Sequence, residues 1–264
     1  MKGLLVYSKD DIEKNSKYIS WFVNEGKKRN MKLNVMTDEF LQTQGIDSIE
    51  TVDFVINRSR SYEISLLLEL NDIRVFNNSD VTLIGNNKLA AYKYAKNKGF
   101  KFPKVLIEFL NKKQILSKPN DGHGGEGIHL INTSVSMTNT KNIKQEFIED
   151  LVGDIRFYVI NNEIISAVIR FSDDKIVSNY SQGGKFRVYK YSKSEEDLIK
   201  RFMKGIDFDY VGLDFFLTKN DELLFNEIED VVGSRMLSHL GINNTTELYL
   251  EHIYRMIEAK KNTK

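Results

Sequence analysis

The chain has 264 residues, carries 38 Lys and Arg against 37 Asp and Glu, and is 41% hydrophobic, so its length allows one large domain or two modest ones and its charge gives no argument for a nucleic-acid or membrane-surface partner. It contains no cysteine, which excludes disulfides, thiolate metal sites and a cysteine nucleophile. The opening MKGLLVYSKDD meets acid too early for a secretory signal, and no run approaches the roughly 18 apolar residues of a membrane span; a cytoplasmic protein is expected.

Residues 3–8, GLLVYS, read as a buried strand. Residues 11–28 follow with Tyr18, Ile19, Phe22 and Val23 at helical spacing. Residues 32–36 and 52–56 are further strands, 61–70 a helix with Ser61 as N-cap and Glu63 in its first turn, and 74–77 a short strand. This alternation predicts a small parallel sheet in an N-terminal α/β domain over residues 1–82. A helix over 87–98 is stopped by Gly99, and 102–105 lead into a new strand. Residues 115–118 and 128–131 read as strands around a glycine-rich loop, and 134–142 as an exposed polar connection. From Lys144 the text turns β-rich through KQEFIE, DIRFYVI, EIISAVIR and KIVSN. A helix over 194–203 precedes an acidic hairpin, and an amphipathic helix over 245–259 closes the chain with Leu248, Ile253 and Ile257 on its buried side.

The hairpin is the most informative segment. Asp214 stands in the apolar run VGLDFFL, and after a polar turn a second run leads into Asn226-Glu227-Ile228-Glu229. Successive strand residues point to opposite faces, so Glu227 and Glu229 share one. With Asp214 on the facing strand, three carboxylates meet, and burying them together is costly without cations. Mg²⁺, which takes hard oxygen ligands and leaves room for phosphate, fits that need. The alternative is a solvated hairpin face.

Gly122-His123-Gly124-Gly125-Glu126-Gly127 fits G-x-G-x-x-G. The dinucleotide reading requires a helix after the last glycine, whereas IHLI looks like strand, so that reading is rejected. A glycine loop joining antiparallel strands offers backbone N–H donors to a polyphosphate; a flexible hairpin tip is the alternative. Protein kinases use such a loop, but the HRD and DFG signatures are missing. Lys118, at the end of the strand before the loop, and Lys88, at the start of the earlier helix, are candidate phosphate contacts. Asp154, Arg156, Arg170, Asn179 and Gly183-Gly184 lie in the β-rich part. The four histidines show no metal-ligand spacing.

Taken together, in this order, these motifs resemble the ATP-grasp superfamily, in the branch containing ribosomal-protein glutamate ligases and related carboxylate–amine ligases. The likeness runs from about Phe54 to the C-terminal helix. It implies an α/β (α+β) ATP-grasp fold: the small N-terminal parallel-sheet domain, then residues 83–264 as two α+β subdomains, about 83–145 and 146–264, clasping ATP. Asn57-Arg58 looks like that branch's N-terminal domain, and Asn87-Lys88 with Gly99 and Pro103 like its N-K…G-x-x-x-P stretch. The resemblance places nucleotide on Lys88, Lys118, Gly122, Gly124, Gly125 and Gly127, on a hinge at Glu146, Phe147 and Ile148, and on Asp154, Ser178 and Asn179. It puts metal on Asp214, Glu227 and Glu229, and gives Arg170, Asn179 and Arg235 roles at the reacting groups, Arg235 toward a substrate carboxylate.

The implied activity is an ATP- and Mg²⁺-dependent ligase, with Mn²⁺ as the alternative metal. It would join a carboxylate to an amine, each a small molecule, an amino acid or a peptide terminus, through an acylphosphate. Nucleic acid and membrane are not expected partners. Two departures from the family pattern are visible: Glu229 stands where the metal motif ends in Asn, and Val177 where an arginine precedes Asn179. They motivate the rival reading, an inactive ATP-binding regulatory protein of the same fold.

Overall fold

The computed structural model describes residues 1–46, 49, 51–105, 114–122, 124–131, 141–171 and 184–262. Its first strand, β1 (Lys2–Tyr7), is buried beyond Lys2. Two helices follow, α1 (Lys9–Lys14) and α2 (Ser16–Lys28), where the periodicity predicts one. Asn15 makes the break: it leaves helical geometry at ψ 17°, and its side-chain amide donates to the Asp11 carbonyl at 2.9 Å, a local bond that competes with the helix. Then come β2 (Lys32–Thr37), α3 (Asp38–Gln44), β3 (Phe54–Asn57), α4 (Tyr62–Leu70) and β4 (Val75–Phe76). The strands pair in parallel in the order β2-β1-β3-β4. Ser61 caps α4 as expected, accepting from the Ile64 amide at 3.3 Å.

Helix α5 (Ser79–Asn86) was not signalled by periodicity; α6 (Lys88–Asn97) was, and it ends before Gly99 at φ 75°. Residues 102–105, expected to lead into a new strand, make one bridge, between Val105 and Gln145, and the residues that would carry the strand on, 106–113, lie outside the described ones. Pro103 has no N–H to give a ladder. Its carbonyl accepts from the Gln145 side chain at 2.9 Å, and that of Lys104 from the Glu146 amide at 2.9 Å. Strands β5 (Ile115–Pro119), β6 (His129–Ile131) and β7 (Asn142–Glu146) form an antiparallel sheet in the order β6-β5-β7. The expected polar connection over 134–142 and the KIVSN strand lie wholly or mostly outside the described residues.

The third sheet positions the site. It contains β8 (Leu151–Ile160), β9 (Glu163–Phe171), β10 (Lys185–Val188), β11 (Tyr210–Thr218) and β12 (Leu223–Glu229), antiparallel in the order β10-β9-β8-β11-β12. Helix α7 (Lys193–Met203) precedes β11, and α8 (Arg235–His239) and α9 (Thr245–Asn262) end the chain. Strand alternation sorts its side chains. Ile155, Phe157, Ile169, Leu213 and Phe215 face one core with Tyr92 of α6 and Phe202 of α7. Tyr158, Ile160, Val168 and Tyr210 face the other, shared with Leu5, Tyr7 and Phe22 of the N-terminal part and Tyr249 and Ile253 of α9. Ile253 and Ile257 of α9 are buried as expected, whereas Leu248 is 39% exposed; Tyr249 and Leu250 fill that turn of the buried face instead. Among the described residues no helix is long and apolar enough to cross a membrane.

Candidate active site

The second face of the five-stranded sheet changes character along its strands. Past Tyr158, β8 places Arg156 and Asp154 on that face; past Val168, β9 places Arg170. Register brings them together: Arg156 opposite Asp214, Asp154 opposite Arg170, and Asp214 opposite Glu227. Gly212, opposite both Tyr158 and Glu229, makes room. A Cβ there would lie 3.1 Å from Arg156 Cδ and 3.2 Å from its Nε, so the absence of a side chain lets the arginine lie across the strand.

Asp214 is fully buried. Arg156 grips it with two bonds, Nε to Oδ1 at 2.8 Å and Nη2 to Oδ2 at 2.7 Å. Arg170 adds a third, Nη2 to Oδ2 at 2.6 Å, and pairs also with Asp154. Arg156 reaches Glu229 as well. Burial alone would raise the Asp214 carboxyl, but the two arginines outweigh it and hold its pKa below the ordinary value. Asp154 goes the other way: burial dominates over Arg170, with Asp214 adding repulsion, and lifts its pKa. The cations that make this carboxylate face tenable are therefore the protein's own arginines. Among the described residues no three His, Asp or Glu side chains gather as a metal cluster. Glu227 is the least engaged of the three acids, partly exposed, with Lys88 Nζ 4.0 Å away.

Glu227 and Glu229 open onto a cleft lined also by Ile84, Gly85, Lys88, Ala91, Gly122, Gly124 and Ile228. Lys88 is the first residue of α6. Its amide donates to the Asn120 carbonyl at 3.0 Å, and its ammonium to the carbonyl of Gly122, which ties the helix start to the glycine loop. Gly124, Gly125 and Gly127 all have positive φ, at 64°, 83° and 71°, a conformation that favours glycine. Lys118 is buried at the end of β5. Its ammonium donates to Tyr92 Oη at 2.6 Å and Asn226 Oδ1 at 3.3 Å. Burial, partly opposed by Glu227, brings its pKa down to about 8. Glu146 is the last residue of β7, and Phe147 and Ile148 begin the connection to β8, and so from one sheet to the next. Arg235 begins α8 on the exposed surface. Ser178, Asn179 and Val177 lie outside the described residues.

The structure thus brings together Lys88, Gly122, Gly124, Glu227 and Glu229 at one cleft, and Asp154, Arg170 and Asp214 beside it. Arg156, the centre of the buried cluster, received no role from sequence reasoning. Its signal was available, since it stands two residues from Asp154 and so shares its strand face. Tyr92 and Asn226, the partners of Lys118, gave no local signal.

Residues 73–252 match the RimK-like ATP-grasp domain. The chain belongs to this family. An uncharacterized protein of Mycoplasma genitalium is 30% identical over 254 residues, covering 90% of this chain and 87% of its own. The alpha-aminoadipate–LysW ligase of Sulfurisphaera tokodaii is 21% identical over 254 residues, 85% of this chain and 89% of that one. The crystal structure of D-alanine–D-alanine ligase from Bacillus anthracis superposes with a TM-score of 0.71 at 13% identity, covering 98% of this chain and 99% of that chain. The parallel sheet and two antiparallel sheets are therefore those of an ATP-grasp fold, whose characterized relatives are ATP-dependent ligases forming C–N bonds.

Proposed function

We propose that this RimK-like protein is an ATP- and Mg²⁺-dependent ligase joining a carboxylate to the amine of an amino acid or peptide. The observation that carries the reading is Lys118. Its ammonium is buried, and among the described residues it donates to the neutral oxygens of Tyr92 and Asn226; a buried cation of that kind calls for an anionic ligand. ATP, its charge offset by Mg²⁺, would pass its γ-phosphoryl group to the carboxylate with release of ADP, and the amine would then displace phosphate from the resulting acylphosphate to form the amide bond.

The chain's own residues fit these tasks. Lys88, Lys118 and the amides of the glycine loop present positive charge and backbone donors to a polyphosphate. Glu146 to Ile148, between the two antiparallel sheets, offers backbone groups to the adenine. Arg156 and Arg170 hold two guanidinium groups in a buried setting, where preorganised charge stabilises a transferring phosphoryl group more than it would in water. Glu227 and Glu229, at the mouth of the cleft, supply the oxygen donors Mg²⁺ takes. Asp214, with both oxygens bonded to arginine, would orient those arginines and ligate metal only by exchanging one of them. The nearest test is ADP release from ATP and Mg²⁺ with pooled amino acids and short peptides. Turnover stimulated by at least one pool is expected. Tight nucleotide binding with no stimulated turnover in any pool is what an inactive regulatory protein would give.

A further inference from the structure

Asp230 follows Glu229 at the end of β12 and is 3% exposed. It lines none of the cleft, and its side-chain partners among the described residues are amides. Oδ1 accepts from Asn77 Nδ2 at 2.6 Å, and Oδ2 from Asn86 Nδ2 at 3.1 Å. Each amide is fixed from its other side. Asn77 Nδ2 also donates to the Tyr210 carbonyl at 2.8 Å, and its Oδ1 accepts from the Tyr210 amide at 2.9 Å. Asn86 Nδ2 also donates to the Thr82 carbonyl at 2.8 Å. Neither amide can turn its oxygen toward Asp230 without giving up these bonds. The position therefore demands two acceptors, which a carboxylate supplies and an amide does not.

The backbone carries the same constraint. A Cβ on Gly85 would lie 2.5 Å from Asp230 Cβ, closer than packed carbons come, so the last turn of α5 lies directly on the end of β12. These elements form facing walls of the cleft: Ile84 and Gly85 of α5 with Lys88 and Ala91 of α6 on one side, Glu227 to Glu229 of β12 on the other. Lys88 stands two residues beyond Asn86, with its Nζ 4.0 Å from Glu227 Oε2. A buried carboxylate held by neutral amides costs more than an apolar residue in its place, and what it secures is one fixed arrangement of its donors. We propose that Asp230 is a positioning residue: through Asn86 it sets the distance between Lys88 and the pair Glu227 and Glu229, and so the width of the grip on a metal-bound polyphosphate. This rests on the ligase reading above and adds to it a residue that touches neither nucleotide nor metal.

The test is calorimetric titration with a non-hydrolysable ATP analogue and Mg²⁺, at a temperature well below unfolding. Asp230→Asn keeps the shape and sets a donor against a donor. Asn86→Ala removes the same bond from a half-buried helix end. Gly85→Ala forces the walls apart and removes no bonding group. Each should weaken the analogue by about tenfold or more, the scale of one charge-assisted contact. Asp230→Asn and Asn86→Ala combined should bind no worse than the weaker single variant, because both break one bond. Ile257→Ala opens a cavity in the core beneath α9 and lines no part of the cleft; it should lower Tm and leave affinity unchanged. Unaltered affinity in folded Asp230→Asn and Asn86→Ala overturns the proposal. So does additive loss in the double variant, or equal weakening in Ile257→Ala. If Asp230→Asn does not fold, Asn86→Ala and Gly85→Ala decide. An unaltered protein that binds no analogue sinks the ligase reading and this proposal with it, whereas binding that every variant shares removes Asp230 alone.

Discussion

At the residue scale the site turns on buried charge. Arg156 and Arg170 keep Asp214 ionised in a setting that would otherwise neutralise it, while at Lys118 burial outweighs the pull of Glu227 and Asp154 and the pKa falls to about 8. That difference has a pH consequence. Phosphate beside Lys118 would raise its pKa again, so nucleotide binding should take up protons: about half a proton at pH 8, where roughly half of the free protein's Lys118 is neutral. Affinity should accordingly fall as pH rises from 8 toward 10. Calorimetry at pH 8 in two buffers of different ionisation enthalpy measures the uptake, and Lys118→Met should remove it. Zero uptake in the unaltered protein would place the phosphates elsewhere. Lys118 was legible in the sequence through its place before a glycine loop. Its pairing with Tyr92 and Asn226 was not, because those residues arrive from α6 and β12, 26 and 108 positions away.

At the element scale the acidic hairpin shows what local pattern conveys and where it stops. Two apolar runs around a polar turn predicted the strands, their antiparallel pairing and the shared face of Glu227 and Glu229, and β11 and β12 pair that way. The neighbour across β11 is β8, more than fifty residues earlier, so the arginines that neutralise the face were invisible to a reading of the hairpin alone. The same limit explains α9: periodicity located the helix, but which side is buried depends on α2 and the N-terminal core packing against it. The hairpin carries its own prediction. Glu227→Gln should abolish ATP turnover without unfolding the protein, whereas Glu229→Asn, which keeps an oxygen donor and frees Arg156 of one partner, should be tolerated. Rates of ADP release with circular dichroism as the fold control check both; loss of activity in Glu229→Asn with Glu227→Gln intact would reverse the metal assignment.

At the scale of the whole molecule the N-terminal sheet and the C-terminal helix share one core with the five-stranded sheet. Asp209 ties all three together: Arg74, beside β4, bonds both its oxygens at 2.9 and 3.0 Å, and His252 of α9 approaches at 2.7 Å. Asp209 is 2% exposed, so Asp209→Ala leaves a guanidinium without its partner and should cost about 3–5 kcal/mol in urea unfolding. A loss below about 1 kcal/mol, the scale of a surface pair, would show that packing alone joins these parts. Arg58 meets the Val232 carbonyl across the same packing, a contact between residues 174 positions apart. The central claim, that the cleft between the two antiparallel sheets binds ATP through Lys118, meets its most direct test in a calorimetric titration with a non-hydrolysable ATP analogue and Mg²⁺. One site per chain is expected, weakened by about 1–3 kcal/mol in a folded Lys118→Ala variant, the scale of a charge-assisted contact. Absence of binding to the unaltered protein, or equal affinity in the variant, would contradict it.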